Sequence, residues 1–367
     1  MIVSAAVVLV WVVAAVVVGA EVDARTARRK AVYGASAALV LSLAAFPDGL
    51  VCTAFCLAGV LVAALSPVAS HPPKVLARAL VLVAAACAFT VVRSPAVDAV
   101  LWALTAVVAL SAARDVRLFV VYHAPSVLLV AAGAVFPSAA GVLVLLGVAV
   151  RAAVVPVHSW FPRFVARTPM GVVAAFLLPT GLVVPDTPLA AVVGAVTAVV
   201  GAVFAVVQAD GVRALAFLLV SLGGVVLVDG TGPAAVVAAT GLAMTVAALS
   251  ARRDSLSLST PAGDLARTPR LAVAYLGFGL ASAGFPLLPG FADVHRLLTH
   301  PAPFVVAAVV VAVAVNGITV LRGFLGLFAG HPRENGERDL TSLEHYAVAV
   351  TLSLLAIGGL APGLTGW

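Results

Sequence analysis

Long apolar runs follow one another through this chain with only short polar breaks between them, and runs of that length admit few folds. Backbone polar groups in lipid must be paired within the segment, so such a run is expected to be a helix, and about 20 residues cross a bilayer core roughly 30 Å thick. Fourteen segments can be read, over residues 2–20, 31–47, 49–66, 76–92, 96–112, 117–135, 137–156, 169–185, 188–208, 212–229, 232–249, 268–286, 302–322 and 343–362. The expected fold class is an all-α integral membrane protein of about 14 transmembrane helices, one transmembrane domain over residues 1–367. No stretch is long or polar enough to form a soluble domain, and the lipid bilayer is the first expected partner.

Composition agrees, with 63% apolar and 10% charged residues and a mean hydropathy of +1.20. The 21 basic against 15 acidic residues do not mark a nucleic-acid binder, because long uncharged runs separate small basic clusters instead of one basic face. Cys52, Cys56 and Cys87 lie inside apolar stretches without histidine partners, so they read as small apolar fillers, and neither a metal nor a cofactor is expected. The first run has no basic residue before it and a basic cluster after it, the reverse of a cleaved secretory signal, so the first helix is expected to be retained.

Short cytoplasmic connections collect lysine and arginine. Of the 21 basic residues, 18 fall in odd-numbered connections, Arg93 and Arg296 in even-numbered ones, and Arg151 within a segment. The alternation supports the segment count and places a multi-pass protein in the cell membrane with both termini outside. The longest connections, residues 250–268 and 329–342, are then cytoplasmic loops too short to fold alone.

Arg151 carries the sharpest chemical signal, since an arginine within a membrane helix costs about 2.5 to 3.5 kcal/mol and needs a partner, a wet cavity or a route to the interface. It is expected to point into the bundle toward an acidic or carbonyl partner; the alternative is a side chain reaching the nearby cytoplasmic face. Pro156, Val157, His158, Ser159, Trp160, Phe161 and Pro162 follow, then Arg163, Arg167, Thr168 and Pro169, and prolines so placed break a helix.

These residues resemble a known family, the antiporter-like membrane subunits of respiratory complex I and the Mrp-type cation/proton antiporters. Its pattern is a lysine, then PxHxWLP five residues later, then a TP pair; Arg151, the stretch Pro156 to Pro162, and Thr168-Pro169 stand at those positions. A second match is Gln208-Ala209-Asp210-Gly211-Val212-Arg213, continued by Ser221, Leu222 and Gly223, and a third is Gly284-Phe285-Pro286-Leu287-Leu288-Pro289-Gly290-Phe291. All three fall in family order over about residues 141–300. The resemblance implies a fold with broken helices at Pro156, Pro162, Pro169, Pro286 and Pro289. It also implies a proton path through buried ionisable groups, for which Arg151, His123, His158, Asp210, Arg213, Asp293 and His295 are the candidates here.

The departures are as informative. The family lysine or histidine after the TP pair is replaced by the apolar run from Ala175 to Leu178 and by Pro179, a later HAxxK segment reads Thr240 to Met244, and a third lysine reads Val294. The family glutamate has one counterpart, His123, after Asp115-Val116-Arg117-Leu118-Phe119. Arginine stays protonated at working pH, so Arg151 can bias a neighbour but is a poor carrier. No nucleotide or redox motif occurs, so any driving force belongs to partners, and the chain is at most one subunit of an NADH-quinone oxidoreductase-like complex. The sequence ends soon after its last apolar run, so the long lateral helix of one complex I subunit is not expected here. The expected function is that of a proton-translocating membrane subunit, acting on protons or monovalent cations, assembled with other membrane and peripheral subunits. Two alternatives are an energising subunit of an inorganic-carbon uptake complex and a scaffold subunit that has lost the relay.

Overall fold

The computed structural model describes residues 2–46, 48–230, 232–259, 263, 265–297, 302–330 and 338–361, without the side chains at 292–294 and 296. The side chains of Asp293 and Arg296 are therefore not described, and Arg333 lies outside the described residues. The chain runs through α1 (Ile2–Gly19), α2 (Ala24–Leu43), α3 (Leu50–Leu65), α4 (Pro73–Ala88), α5 (Pro95–Leu110), α6 (Val116–Val135), α7 (Ala140–Arg151) and α8 (Phe161–Arg167). It continues through α9 (Met170–Leu177), α10 (Pro188–Val206), α11 (Gly211–Asp229), α12 (Pro233–Ser250), α13 (Pro269–Ser282), α14 (Gly290–Leu297), α15 (Pro303–Phe328) and α16 (Ser342–Leu360). No strand occurs among the described residues, only an isolated bridge between Asp210 and Ser257. Each of the fourteen expected segments holds one of these helices, and the short α8 and α14 lie between segments. Seven helices, α1, α6, α10, α11, α12, α15 and α16, are individually long and apolar enough to cross a membrane. The protein is an all-helical, multi-pass membrane protein.

Local chemistry sets the helix starts. Pro73, Pro95, Pro188, Pro233, Pro269 and Pro303 each occupy the first helical position, where the missing N–H has no intrahelical partner to lose. Asp23, Ser94, Asp115, Thr187, Asp210 and Thr341 cap their helices by accepting from the backbone N–H three residues on. The Asp23 cap explains why α2 begins at Ala24 and carries the basic cluster Arg25 to Lys30, whereas the apolar run alone places the start at 31. At the other extreme, α15 continues past Arg322 to Phe328, because the Arg322 guanidinium folds across to the carbonyls of Val206 (2.7 Å) and Gln208 (2.6 Å) and does not end the helix.

The burial pattern is that of a protein solvated by lipid. α3 and α12 are enclosed over nearly their whole length and, with α9, form the interior. The helices α1, α6, α15 and α16 turn Leu9, Val16, Leu128, Ile318, Leu325, Val350 and Ile357 outward. Small residues let interior helices approach closely: a Cβ on Gly224 of α11 would stand 2.4 Å from the Ala198 nitrogen of α10. One apolar cluster runs from Val7 to Leu355 and ties the first helix to the last.

Among the described residues, a set of polar contacts joins odd-numbered connections to one another. Arg28 at the start of α2 bonds the Ala64 carbonyl at the end of α3 and Glu344 at the start of α16. Arg252 after α12 joins the same carboxylate at 2.8 Å, while Arg167 at the end of α8 pairs with Asp115 before α6 at 3.5 Å. His71, between α3 and α4, accepts from the Gly171 N–H at the start of α9 at 3.1 Å. The connections that carry the basic residues therefore meet at one end of the bundle.

Candidate functional site

The helix bearing Arg151 stops at that residue. Ala153 has φ +52°, in the left-handed region that non-glycine residues avoid, and a turn of 3-10 helix over Val157–Trp160 leads into α8 with Pro162 in its first turn. The freed backbone groups find partners: the Val155 N–H donates to Thr197 Oγ1 at 3.3 Å, and Trp160 Nε1 donates to the Val150 carbonyl at 3.1 Å. Gly223 of α11 makes room for the break, since a Cβ there would lie 2.8 Å from the Ala152 carbonyl oxygen. Irregular backbone inside a membrane protein is tolerated only where such pairing is supplied. A second break follows α13, where Gly284 and Leu287 have φ +64° and +74° and Pro286 and Pro289 fall between α13 and α14. Pro169 caps α9, which runs only to Leu177 because Pro179 converts the next turn to 3-10 geometry over Thr180–Leu182.

Arg151 is fully buried. Its guanidinium carbon sits 3.4 Å from the centre of the Trp102 ring and 4.3 Å from that of Phe176, and Nη2 donates to the Trp102 carbonyl at 3.0 Å. A cation held between two rings gains from their quadrupoles, up to about 2 kcal/mol when desolvated. Trp102 is itself fixed: its Nε1 donates to Ser126 Oγ at 3.1 Å, which donates to the Gly147 carbonyl at 2.7 Å. No carboxylate pairs with Arg151 among the described residues, and its Nε and Nη1 have no hydrogen-bond partner.

His123 packs on the same aromatic group. Its ring stacks on Phe119 at 4.0 Å, meets Trp160 edge-on at 4.5 Å and Phe176 at 5.2 Å, and both ring nitrogens are buried without a partner. Phe176 thus stands between the two ionisable side chains. Next to Arg151 opens a cavity of about 130 Å³, bounded by Thr180 after α9, by Gly223 and Asp229 of α11, by Thr240 of α12 and by Ser282 of α13. It is mostly apolar, and it is bordered along its length by α11 as far as the connection at Gly230 and Gly232. The Thr180 hydroxyl, also buried, has no partner either.

The other candidates lie apart from this pair. His158 is half-buried between Phe204 at 6.0 Å and Phe217 at 6.4 Å. Asp210 caps α11 by accepting from the Arg213 N–H at 2.9 Å, and the Arg213 side chain is exposed at that end of the helix. His295 is exposed on α14, 6.3 Å from Phe291, and Asp293 is outside the described side chains. Composition gives no hint of Trp102 and Phe176, the rings that hold Arg151. A single tryptophan in the middle of an Ala/Val/Leu helix was the available signal, because a buried indole N–H needs an acceptor. The three cysteines meet, with Cys56 and Cys87 sulfurs 4.0 Å apart and all three sulfurs within 4.8 Å.

Neither a family model nor a curated protein matches the sequence. Solved structures do match in fold. A chain of respiratory complex I from Thermus thermophilus with bound NADH shares 20% identity at a TM-score of 0.84, over 100% of this chain and 97% of that one. A chain of the membrane-bound sulfane sulfur reductase, an archaeal respiratory membrane complex, shares 16% identity at 0.77, over 97% of this chain and 76% of that one. A chain of the Mrp complex from Dietzia sp. DQ12-45-1b shares 16% identity at 0.76, over 99% and 96%. The chain therefore shares its fold with chains of respiratory complex I, of an archaeal respiratory membrane complex and of an Mrp complex.

Proposed function

We propose that this chain is a proton-translocating membrane subunit of a multi-subunit complex of the complex I or Mrp type, lying in the cell membrane with a shortened relay. The reading is carried by one observation: a fully buried arginine at the family's lysine position, with an unpartnered histidine across one phenylalanine ring and a cavity at its side. Arg151 acts as a fixed charge, since guanidinium does not release its proton at working pH. His123 is the group able to take up and release one. The cavity along α11 supplies the space for the path beside Arg151, and the break after Arg151 lets the backbone border it. The driving reaction belongs to partner subunits.

The test is proton flux in vesicles containing the assembled complex, normalised to the amount of this subunit. Arg151→Ala is expected to abolish normalised flux with assembly intact, Arg151→Lys to retain part of it, and His123→Ala to reduce it at least tenfold. The scaffold reading draws on Asp210 and Arg213 serving at a helix end and on the apolar residues at three family lysine positions. It predicts unchanged normalised flux in all three variants, an outcome that would sink the transport reading. An inorganic-carbon complex would differ in its partner, not in this flux.

A further inference from the structure

Arg151 presents an imbalance that its described neighbours do not resolve. A fully buried guanidinium has one hydrogen bond, to a carbonyl, and no carboxylate within 4.0 Å among the described residues. Its Nε and Nη1 are unpaired, and the Thr180 hydroxyl, which borders the same cavity, is unpaired too. An uncompensated buried charge is strongly unfavourable, and aromatic faces recover only part of that cost. Among the described residues, no acceptor that carries negative charge stands at this point.

The geometry points to a binding site for a small monovalent anion beside Arg151, held by the guanidinium and the Thr180 hydroxyl. The cavity is large enough: about 130 Å³, where roughly 10 to 15 Å³ suffices for one water molecule. Its mostly apolar wall selects the class of anion. Ions that hold their water weakly, such as iodide, thiocyanate, nitrate and chloride, lose little on entry, whereas fluoride and sulfate lose much. Asp229 borders the cavity as well, but it lies six residues beyond Gly223 on α11, about 9 Å along the helix at 1.5 Å per residue. The end at Arg151 is therefore where an anion is favoured. The inference rests on the charge balance at Arg151 and stands whether or not the chain moves protons.

Trp102 provides the readout: it is not part of the cavity lining, but its ring lies 3.4 Å from the guanidinium, so its fluorescence responds to an anion bound to that group. The purified full chain is titrated with sodium iodide at constant ionic strength, with gluconate as the balancing anion. Expected is a saturable quenching phase that chloride displaces and fluoride does not, and that disappears in Trp102→Phe. Arg151→Met should remove the phase and Arg151→Lys should keep it with weaker affinity. Thr180→Val, a near-isosteric change, should weaken it several-fold and serves as the arm if Arg151→Met does not fold. A strictly linear quench in the wild type, insensitive to chloride and equal in Thr180→Val, would mean that water alone fills the cavity and would overturn the proposal.

Discussion

At the scale of single residues, His71 shows how burial turns a common side chain into a pH-dependent clasp. Its Nδ1 lies 2.9 Å from Ser70 Oγ and 3.3 Å from the Pro67 carbonyl, so the proton sits on Nδ1 and Nε2 is left to accept from the Gly171 N–H at 3.1 Å. Burial pushes the imidazole down to about 4, with the nearby Arg28 charge acting in the same direction and the Pro67 carbonyl opposing them. The unfolded chain titrates near 6.5, so between those values it binds the proton that the folded chain refuses. Stability is then fully present above pH 6.5 and falls as the pH drops toward 4, by about 3 kcal/mol for one group. Thermal unfolding in detergent from pH 7.5 to 4.5 should show this loss, and His71→Gln should flatten it. A slope unchanged by the substitution would assign the effect to other groups.

At the scale of elements, the places of fourteen helices were legible because lipid leaves the backbone a single solution and because proline, serine, threonine and aspartate mark the starts, while the short α8 and α14 between the apolar runs were not. The breaks were legible for the same reason, as Pro156 and Pro286 sit where no helix can continue. What could not be read was the interior of the site. Arg151 and His123 are sequence candidates, but their neighbours Phe176 and Trp102 are apolar residues among many, and only the packing of α5, α6, α7 and α9 brings the four together. Asp210 belongs to a matched motif, yet its carboxylate serves as a helix cap, a role that the motif alone does not separate from proton transfer. Close helix approach makes a further prediction. A Cβ on Gly224 meets backbone atoms, the Ala198 nitrogen at 2.4 Å and the Gly194 oxygen at 2.6 Å, which cannot rotate away, whereas a Cβ on Gly317 of α15 meets nothing within 4 Å. Gly224→Ala should destabilise by about 1 to 3 kcal/mol. Gly317→Ala should be neutral or stabilising by up to about 1 kcal/mol, from helix propensity. Unfolding midpoints of the two variants, measured side by side, check the contrast.

For the whole molecule the question is what sets the order of the helices across the membrane, and the polar contacts at one end of the bundle bear on it. Glu344 is buried at the start of α16 and binds Arg28 of α2 and Arg252 beyond α12, each at 2.8 Å, while closing a capping box with Thr341. Removing the carboxylate leaves two half-buried guanidinium groups facing each other, so Glu344→Ala should cost about 3 to 5 kcal/mol of stability, read from the unfolding midpoint. Glu344→Gln, which keeps the cap, should cost less. Every contact in this network joins odd-numbered connections, the set that also holds 18 of the 21 basic residues. The rule that governs short loops predicts that a basic end formed by connections 1, 11 and 13 stays on the cytoplasmic side. With fourteen crossings the first and last residues then share the opposite face. Reporter fusions should place a tag after residue 20 and one after residue 255 inside, and tags at both termini outside. An external signal at residue 255, or an internal one at the C-terminus, would break the parity of the crossings. The basic end would then have to be held by the Glu344 network alone, and Glu344→Ala should in that case disperse the topology itself as well as lower the unfolding midpoint.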